Sequence, residues 1–457
     1  MKMIYGVKDK PKFGQLIVFA FQQLLAIMAA TIAVPMIVNS TTGSQMSTSA
    51  ALFGAGVGTL VYVAFTKAKS PVFLGSSFAF LGSMAAAFGG GVAVGLGYVG
   101  LIIGAILAGL VYVVIAIIVK AVGVKWVSKI MPAVVIGPTV AIIGLSLAGN
   151  AIGDLGATDA KFADASPYTV YASIFCGLVT LAVTMLCSVY GKKMGKLIPF
   201  IIGILAGYAA ASVLYIIAEV TGFADIKVID YSALTKLFEN ISVNSFIALP
   251  DFTFLKAFGS VGQITPGYIG TIAVGFIPVA FVVFAEHIAD HKNLSSIIEH
   301  DLLEDPGLSR TLLGDGVGSM VGAFFGGCPN TTYGESVGCV AITKNASVAT
   351  IVCTAIEAII ISFIAPFVAF LSTIPSCVMG GVCIALYGFI AVSGLKMLQK
   401  VDLDDNRNLF TASVILIAGV GGMVLKFGQV TITEVACALI LGILTNVMLG
   451  RKKKEDK

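Results

Sequence analysis

Long apolar runs alternate with short polar connections along almost the whole chain. Most runs approach the roughly 20 apolar residues that a helix needs to cross the hydrocarbon layer of a membrane. We therefore predict about 14 transmembrane helices. They are expected near residues 14–38, 49–66, 71–87, 94–119, 130–149, 168–189, 197–218, 266–288, 310–327, 329–343, 346–370, 374–395, 409–425 and 430–449.

The composition supports an all-α polytopic membrane protein. Of the 457 residues, 58% are hydrophobic and only 11% are charged, and the mean hydropathy is +1.00. Soluble domains carry about 25% charged residues. These values exclude a disordered chain, a coiled coil and an ordinary cytosolic enzyme.

The positions of the basic residues predict the orientation of the chain. With a cytoplasmic N-terminus, all but five of the 28 Lys and Arg residues fall in cytoplasmic loops or termini. The exceptions are Lys161, Lys227, Lys236, Lys256 and Lys426. The positive-inside rule requires such a bias, so we expect an even number of spans with both termini in the cytoplasm. The net charge of +4 suits contact with anionic lipid and indicates no nucleic-acid partner.

Two predicted spans contain segments that are poor helices at membrane depth. One is residues 71–80, Pro-Val-Phe-Leu-Gly-Ser-Ser-Phe-Ala-Phe, and the other is residues 328–336, Cys-Pro-Asn-Thr-Thr-Tyr-Gly-Glu-Ser. They lie in corresponding places, near the third and the tenth span. Non-helical backbone at this depth lines a cavity or is buried in protein, and such paired breaks indicate a transporter substrate site. The half-helix after each break is expected to direct free N–H groups at that site.

Acidic residues within spans are costly and usually functional. Glu286 and Asp290 lie four residues apart and share a helix face, and Glu335 lies in the second break. We expect these three carboxyl groups to handle substrate or protons. Glu357 and Glu434 also lie in or near spans, and we interpret both as structural.

Other chemistry is weakly indicated. Glu286-His287-x-x-Asp290-His291 could bind zinc, but the two histidines project about 100° away from the acids, so packing roles are favoured. The eight cysteines contain no Cys-x-x-Cys pair and suit apolar packing. Gly314-x-Gly316-x-Gly318 opens an apolar span and follows no strand, which argues against a nucleotide site. No cofactor and no metal are expected.

Three motifs carry a resemblance to a known family. They are Pro329-Asn330-Thr331-Thr332-Tyr333-Gly334-Glu335, Gly75-Ser76-Ser77-Phe78-Ala79-Phe80 and Ala285-Glu286-His287. In these positions the chain resembles the bacterial uracil permeases of the nucleobase/ascorbate transporter (nucleobase–cation symporter) family. The similarity runs from the first span to about residue 400.

The resemblance implies a fold of 14 segments in two inverted repeats of seven, with extended breaks in segments 3 and 10. Segments 1–4 (residues 10–125) and 8–11 (266–372) would form a core domain. Segments 5–7 (126–220) and 12–14 (373–450) would form a gate domain that also serves for homodimer contact. Residues 221–265 would form an external loop.

Carried over position by position, the resemblance places uracil between the two breaks. Glu286 would accept hydrogen bonds from ring N–H groups. Backbone N–H groups at Phe78 and Gly334 would face the ring carbonyls. Uracil has two N–H donors and two carbonyl acceptors, so a site needs carboxylates and amide donors in nearly equal number.

The remaining carried-over residues complete the predicted pocket. Ala30 and Tyr333 would help to form its wall, and Glu335 would complete its polar side. Glu286, Asp290 and Glu335 are the expected proton-coupling groups, because a buried carboxylate can carry a proton together with the substrate.

The chain departs from its relatives at two positions. Asp290 stands where some uracil permeases have histidine, and Gln23 stands where relatives commonly have the histidine of a Gln-His pair. Which group relays the proton is therefore open. Purine-transporting relatives usually have Gln-Asn where this chain has Gly334-Glu335, which favours a pyrimidine.

The sequence thus predicts a secondary active transporter, not an enzyme, in a bacterial plasma membrane. It would import uracil with protons by alternating access. A xanthine or purine permease of the same family, an anion transporter of related fold and a metal-dependent membrane hydrolase are the alternatives. Sodium in place of protons as the driving ion is also left open.

Overall fold

The computed structural model describes residues 3–123, 126, 132–156, 166–192, 195, 198–427, 430–432 and 434–450. Lys161 and the starts of the predicted spans at 130 and 197 lie outside the described residues. The first half contains α1 Phe13–Thr42, α2 Thr48–Phe65, β1 Leu74–Ser76, α3 Leu81–Ala87, α4 Val94–Val122, α5 Ala133–Ser146, α6 Ala148–Asp154, α7 Pro167–Tyr190 and α8 Pro199–Thr221. The second half contains α9 Ser232–Glu239, α10 Thr253–Phe258, α11 Pro266–Ile298, α12 Leu308–Gly326, β2 Asn330–Thr332, α13 Gly334–Thr343, α14 Val348–Ser362, α15 Ala365–Ser372, α16 Ser376–Leu398, α17 Asn406–Val420, β3 Leu425–Phe427, β4 Val430–Ile432 and α18 Glu434–Leu449.

The helices confirm a polytopic membrane protein. Within the described ranges, eight helical stretches are long and apolar enough to cross a membrane. They are Phe13–Thr42, Thr48–Phe65, Val94–Val122, Ala133–Asp154, Pro167–Tyr190, Pro199–Thr221, Pro266–Ile298 and Ser376–Leu398. Each predicted apolar run contains a helix, whereas the count of 14 crossings stays a prediction.

The packing of the first half is repeated in the second half. In order, α1, α2, α3, α4, α5, α7 and α8 correspond to α11, α12, α13, α14, α16, α17 and α18. For example, α1 packs against α14 as α11 packs against α4, and α7 packs against α16 as α17 packs against α5. The corresponding strands β1 and β2 pair antiparallel, so equivalent elements run in opposite directions. The fold is therefore built from two inverted repeats.

Two groups of helices pack mainly among themselves. The first group comprises α1–α4 and α11–α14, and the second comprises α5–α8 and α16–α18. Glycines allow close approach in the first group, since a Cβ on Gly54 would lie 2.4 Å from the carbonyl oxygen of Gly322. They do so in the second group as well, where a Cβ on Gly394 would lie 2.4 Å from the carbonyl oxygen of Gly137. Such small-residue contacts bring helix backbones together in membranes.

Several connections meet on one face of the molecule. The backbone N–H of Ile4 donates to the carbonyl of Lys344 at 2.8 Å. The ammonium of Lys69 contacts the carboxylate of Asp305 at 2.6 Å. The N-terminal segment, the end of α2 and the α11–α12 and α13–α14 connections therefore share what we call the basic face.

The opposite face is marked by the connection between α1 and α2. There the backbone N–H of Gln45 donates to the hydroxyl of Tyr98 at 3.0 Å. On this side the predicted span 346–370 is interrupted after Ser362, because Pro366 has no N–H to bond the carbonyl of Ser362. At the break, the N–H of Ala248 donates to the carbonyl of Phe363 at 3.0 Å. The loop of residues 222–265 thus reaches the end of α14, and a new helix, α15, follows.

Helix α11 extends further than the sequence predicts. The predicted span ended near residue 288, but the helix continues to Ile298 and stops where Glu299 adopts a positive φ of 55°. At 1.5 Å per residue, its 33 residues span about 50 Å. This is longer than the hydrocarbon layer of about 30 Å, so the helix either tilts or extends beyond that layer.

Candidate functional site

The two broken segments cross at the centre of the protein. Gly75 lies opposite Thr331 in the antiparallel β1–β2 pair, and the N–H of Ser77 donates to the carbonyl of Pro329 at 2.9 Å. All six strand residues are buried. The breaks therefore satisfy part of each other's backbone hydrogen bonding, as unwound chain inside a membrane requires.

Tyr333 joins the two breaks from the side. Its hydroxyl donates to the carbonyl oxygen of Ser76 at 2.7 Å, and its ring lies against Gly75. A Cβ on Gly75 would lie 2.3 Å from the ring carbon Cε2 of Tyr333. A side chain at residue 75 would therefore push the ring out of place.

A half-helix starts directly after each strand. A turn of 3₁₀-helix at Phe78–Phe80 leads into α3, and Gly334 is the first residue of α13. Glu335 lies in the first turn of α13. The unpaired N–H groups at these starts carry a partial positive charge and suit acceptor oxygens.

A cavity of about 310 Å³ opens beside the start of α13. Its polar wall is formed by Glu286 and Asp290 of α11 and by Gly334 and Glu335 of α13. Its other wall is largely apolar and comes from α1, α5, α8 and α16, with Ala26, Val140, Phe200, Phe389, Ile390 and Met397 among the lining residues. We call this space the acidic cavity. Its size is within the range of about 300–1,000 Å³ that is usual for small-molecule sites.

Three half-buried carboxyl groups face a space whose described lining holds no lysine, arginine or histidine. The hydroxyl of Thr332 donates to Asp290 Oδ2 at 2.7 Å. By contrast, Glu286 has no side-chain hydrogen-bond partner among the described residues. The cavity thus offers acceptors for N–H donors or protons and repels a free anion.

A second, smaller cavity of about 190 Å³ lies on the other side of the strand crossing. Its lining includes Phe78 and Gly82 beside α3, Asn150 from α6 and Glu434 from α18. The inverted repeat relates α1, α3, α5 and α18 to α11, α13, α16 and α8, so the two cavities occupy equivalent positions. The acidic cavity lies toward the basic face, and the second cavity lies toward the opposite face.

The predicted site residues are therefore distributed over three places. Glu286, Asp290, Gly334 and Glu335 line the acidic cavity, and Phe78 lines the second cavity. Tyr333 and Ala30 are buried, with 4% and 1% of their surface exposed, and line neither cavity.

Gln23 supports the second break from α1. Its side-chain amide donates to Ser336 Oγ at 2.7 Å, and the same oxygen accepts from the N–H of Phe73 at 3.2 Å. Ser336 thereby links α1, the segment before β1 and the start of α13. Gln23 acts on the site through Ser336 and does not line the acidic cavity.

The histidines of α11 face away from the acidic cavity. His287 Nδ1 lies 2.6 Å from Asp315 Oδ2, and its Nε2 lies 3.0 Å from Thr311 Oγ. His291 Nε2 lies 2.7 Å from the hydroxyl of Tyr62. These contacts hold the back of α11 against α12 and α2. Within the described residues, no group of three or more His, Cys, Asp and Glu side chains is placed to hold a metal.

Asp315 is the polar residue that the sequence analysis missed. It is fully buried on α12 and fixes the ring of His287, the neighbour of Glu286. The signal was available, since an acidic residue within the predicted span 310–327 is itself a functional indicator. The glycines on either side of Asp315 allow α12 to pack closely against α4. A Cβ on Gly316 would lie 2.9 Å from the carbonyl oxygen of Gly109.

Comparison with known sequences gives matches over the whole chain. A family model described as the permease family matches residues 14–427. The uracil permease of Bacillus caldolyticus is 40% identical over 460 residues, covering 100% of this chain and 97% of that protein. The uracil permease of Bacillus subtilis (strain 168) is 36% identical, with 100% and 97% covered. The uracil permease of Escherichia coli (strain K12) is 35% identical, with 96% and 92% covered.

Comparison with solved structures gives matches in fold at low sequence identity. The transmembrane domain of the cyanobacterial bicarbonate transporter BicA superimposes with a TM-score of 0.61 at 14% identity, covering 96% of this chain and 100% of that chain. The anion transporter Slc26a9 from mouse, in the inward-facing state, gives a TM-score of 0.62 at 12% identity, with 97% and 69% covered. At this identity the likeness concerns the fold alone.

Proposed function

The chain belongs to the permease family, and from that premise we propose that it imports uracil together with protons across a bacterial plasma membrane. It is a transporter and not an enzyme, as its relatives are permeases. One observation carries the choice of substrate and ion: three carboxyl groups and a half-helix start line one cavity, and the described part of its lining contains no cationic side chain. Relatives named uracil permease, at 35–40% identity over nearly full length, support it.

Uracil binds in the acidic cavity with its polar edge toward α11 and α13. Glu286 accepts from the ring N–H groups, and the free N–H at Gly334 donates to a ring carbonyl. Glu335 completes the polar side. The apolar wall from α8 and α16, including Phe200 and Phe389, covers the faces of the flat ring.

Phe78, Tyr333 and Ala30 keep the roles that the family resemblance implies. Tyr333 and Ala30 form the wall behind the substrate, and the N–H of Phe78 faces a ring carbonyl. Phe78 lines the second cavity, on the other side of the β1–β2 crossing from the acidic cavity. The hydrogen bond between its N–H and uracil therefore forms when the substrate moves past the two strands.

Protons enter through the same carboxyl groups. Uracil is neutral, so its binding does not balance the charge of an acidic site, whereas a proton does. Loading a proton with the substrate lowers the negative charge of the cavity within the membrane, where such charge is costly. Asp290 is the proposed proton carrier, because Thr332 connects it directly to the second break.

The two helix groups are proposed to act as core and gate. Residues 10–125 and 266–372 form the core and hold the substrate, and residues 126–220 and 373–450 form the gate. The lining supports this division, since the polar wall of the acidic cavity belongs to one group and most of its apolar wall to the other. Movement between the groups would open the acidic cavity and the second cavity in turn.

Both termini are proposed to lie in the cytoplasm, with residues 221–265 outside. The gathering of the basic connections on one face supports this orientation. The gate is also the proposed contact surface of a homodimer, and membrane lipid surrounds the assembly.

The solved anion transporters share the fold but not this choice of substrate. A bicarbonate ion in a cavity lined by three carboxyl groups would meet repulsion that no described cationic side chain offsets. Xanthine and other purines are expected to bind more weakly than uracil, since a bicyclic base needs more room beside Gly334 and Glu335.

Uptake of radiolabelled uracil into proteoliposomes tests the proposal. An inward proton gradient should drive accumulation, and a protonophore should abolish it. Competition by unlabelled bases should rank uracil above xanthine. If monodisperse protein takes up no uracil, uracil is not its substrate. If uptake is the same with and without the proton gradient, transport is not coupled to protons.

Replacing Asp290 by asparagine separates coupling from binding. Asparagine keeps an oxygen that can accept from Thr332, but it cannot release a proton. We expect Asp290→Asn to lose gradient-driven accumulation and to retain exchange of labelled for unlabelled uracil across the membrane. Protonophore-sensitive accumulation by this variant would assign the proton to Glu286 or Glu335.

A further inference from the structure

A third space, unrelated to the strand crossing, lies on the basic face. It has a volume of about 640 Å³ and lies between the N-terminal segment, the end of α2 and the start of α14. Four lysines line one end of it, namely Lys8, Lys10, Lys67 and Lys69. The other end is apolar, with Leu16, Val352 and Ile356 in the lining. We call this space the lysine groove.

The positive charge of the lysine groove is only partly balanced. Lys69 pairs with Asp305 at 2.6 Å, and this contact holds the pKa of the Asp305 carboxyl below its usual range. Asp9 is the other carboxylate at the groove. Four lysines thus face two carboxylates, an excess of two positive charges. Among the described residues, the ion pairs found include none of Lys8, Lys10 and Lys67.

The N-terminal lysines are held in place by backbone pairing. The N–H of Ala346 donates to the backbone carbonyl of Tyr5 at 2.9 Å, and the N–H of Val348 donates to the backbone carbonyl of Val7 at 3.1 Å. The hydroxyl of Ser347 donates to the carbonyl of Asp9 at 2.5 Å. Lys8 and Lys10 are therefore carried on a segment that is fixed to the start of α14. The two basic arms of the groove are in position before a ligand arrives.

The apolar end leads along the outside of α14. Val352, Ile356 and Ile360 follow one another at intervals of four residues on one helix face. Ile356 and Ile360 are 45% and 57% exposed. At 1.5 Å per residue this path is about 12 Å long, and it points from the lysines into the membrane.

We propose that the lysine groove binds an anionic diacyl phospholipid. The phosphate of the headgroup would lie among Lys8, Lys10 and Lys67, and an acyl chain would follow Val352 and Ile356. Charge complementarity argues for the anionic headgroup, since clustered lysines next to a membrane helix attract anionic lipid. The exposed apolar path at the lipid-facing side argues for an attached chain rather than a free phosphate ion.

The test compares lipid retention by matched lysine variants of the full chain. Purified protein is given phosphatidylglycerol in detergent, and bound lipid is counted by native mass spectrometry. The groove variant is K8Q/K10Q/K67Q, and the control is K120Q/K396Q/K400Q, which removes three exposed lysines elsewhere. Each lysine near the bilayer surface contributes roughly a fivefold change in affinity, so the groove variant should bind on the order of 100-fold more weakly.

Two further arms separate the sources of the anion. Phosphatidylcholine is zwitterionic, so the amount of it that binds the native protein should equal the amount that binds the groove variant. Inorganic phosphate and glycerol 3-phosphate should fail to displace phosphatidylglycerol at matched concentration. The proposal is overturned if the groove variant retains phosphatidylglycerol, if the control variant loses it equally, or if free phosphate displaces it.

Discussion

Glu286→Gln is expected to lower gradient-driven uracil uptake to about 1% of the native rate. A carboxylate presents two acceptor oxygens and no donor, whereas glutamine offers one acceptor and can turn an NH₂ donor toward a ring N–H group. Losing a hydrogen bond to a charged group costs about 1.5–3 kcal/mol, which is roughly a tenfold to a hundredfold loss in affinity. The fall in uptake should appear with a raised apparent KM and with weaker binding of uracil to the detergent-solubilised protein.

Glu357→Gln is the matched control for this variant. Glu357 is also a half-buried carboxyl group within a membrane helix, but it lies on α14, contacts Cys353 and lines neither the acidic nor the second cavity. Its replacement should leave uptake within about twofold of the native rate, since it removes no group from the acidic cavity. Native-like uptake by Glu286→Gln would show that uracil binds elsewhere.

Gly75→Ala is expected to disrupt the strand crossing and reduce uptake at least tenfold. The added Cβ would lie 2.3 Å from the Tyr333 ring, and that ring is held by its hydrogen bond to Ser76. Either the hydrogen bond breaks or the strands separate. Overpacking of this kind costs about 1–3 kcal/mol, so a lower melting temperature should accompany the loss of uptake.

Gly388→Ala provides the comparison for the added methyl group. Gly388 lies on α16, and a Cβ there would meet nothing within 4 Å, so uptake and melting temperature should not fall. In the double variant Gly75→Ala/Tyr333→Ala, removal of the ring should recover part of the lost thermal stability. A native melting temperature for Gly75→Ala alone would refute the steric explanation.

The position of the broken segments could be predicted because the relevant chemistry is local. Proline, glycine and hydroxyl residues within an apolar run disfavour a continuous helix wherever the run lies. For the same reason Glu286, Asp290 and Glu335 could be singled out. A carboxyl group in a membrane span is costly in any fold, so its presence indicates a use.

Features that depend on distant partners could not be predicted in this way. The 346–370 run does carry a local signal for its interruption, because Pro366 has no N–H for the carbonyl of Ser362, but the pairing of this break with Ala248 depends on a distant loop. The ring of His287 was expected to pack away from Glu286, but its partner Asp315 on α12 was not foreseen. Phe78 and Gly334 follow equivalent breaks, and only the antiparallel crossing directs them to different cavities.

By itself the sequence determined the membrane class, the approximate spans, the two breaks and three of the acidic residues. Hydropathy and the cost of unpaired polar groups act on each segment separately, so these properties can be seen without a fold. The tertiary structure decided which residues share a cavity, why Gly75 has no room for a side chain and where the N-terminal lysines lie. Those outcomes arise from contacts between segments about 250–340 residues apart in sequence, such as Gly75 with Tyr333 and Asp9 with Ser347. No local pattern encodes such contacts, because they exist only when the two repeats pack together.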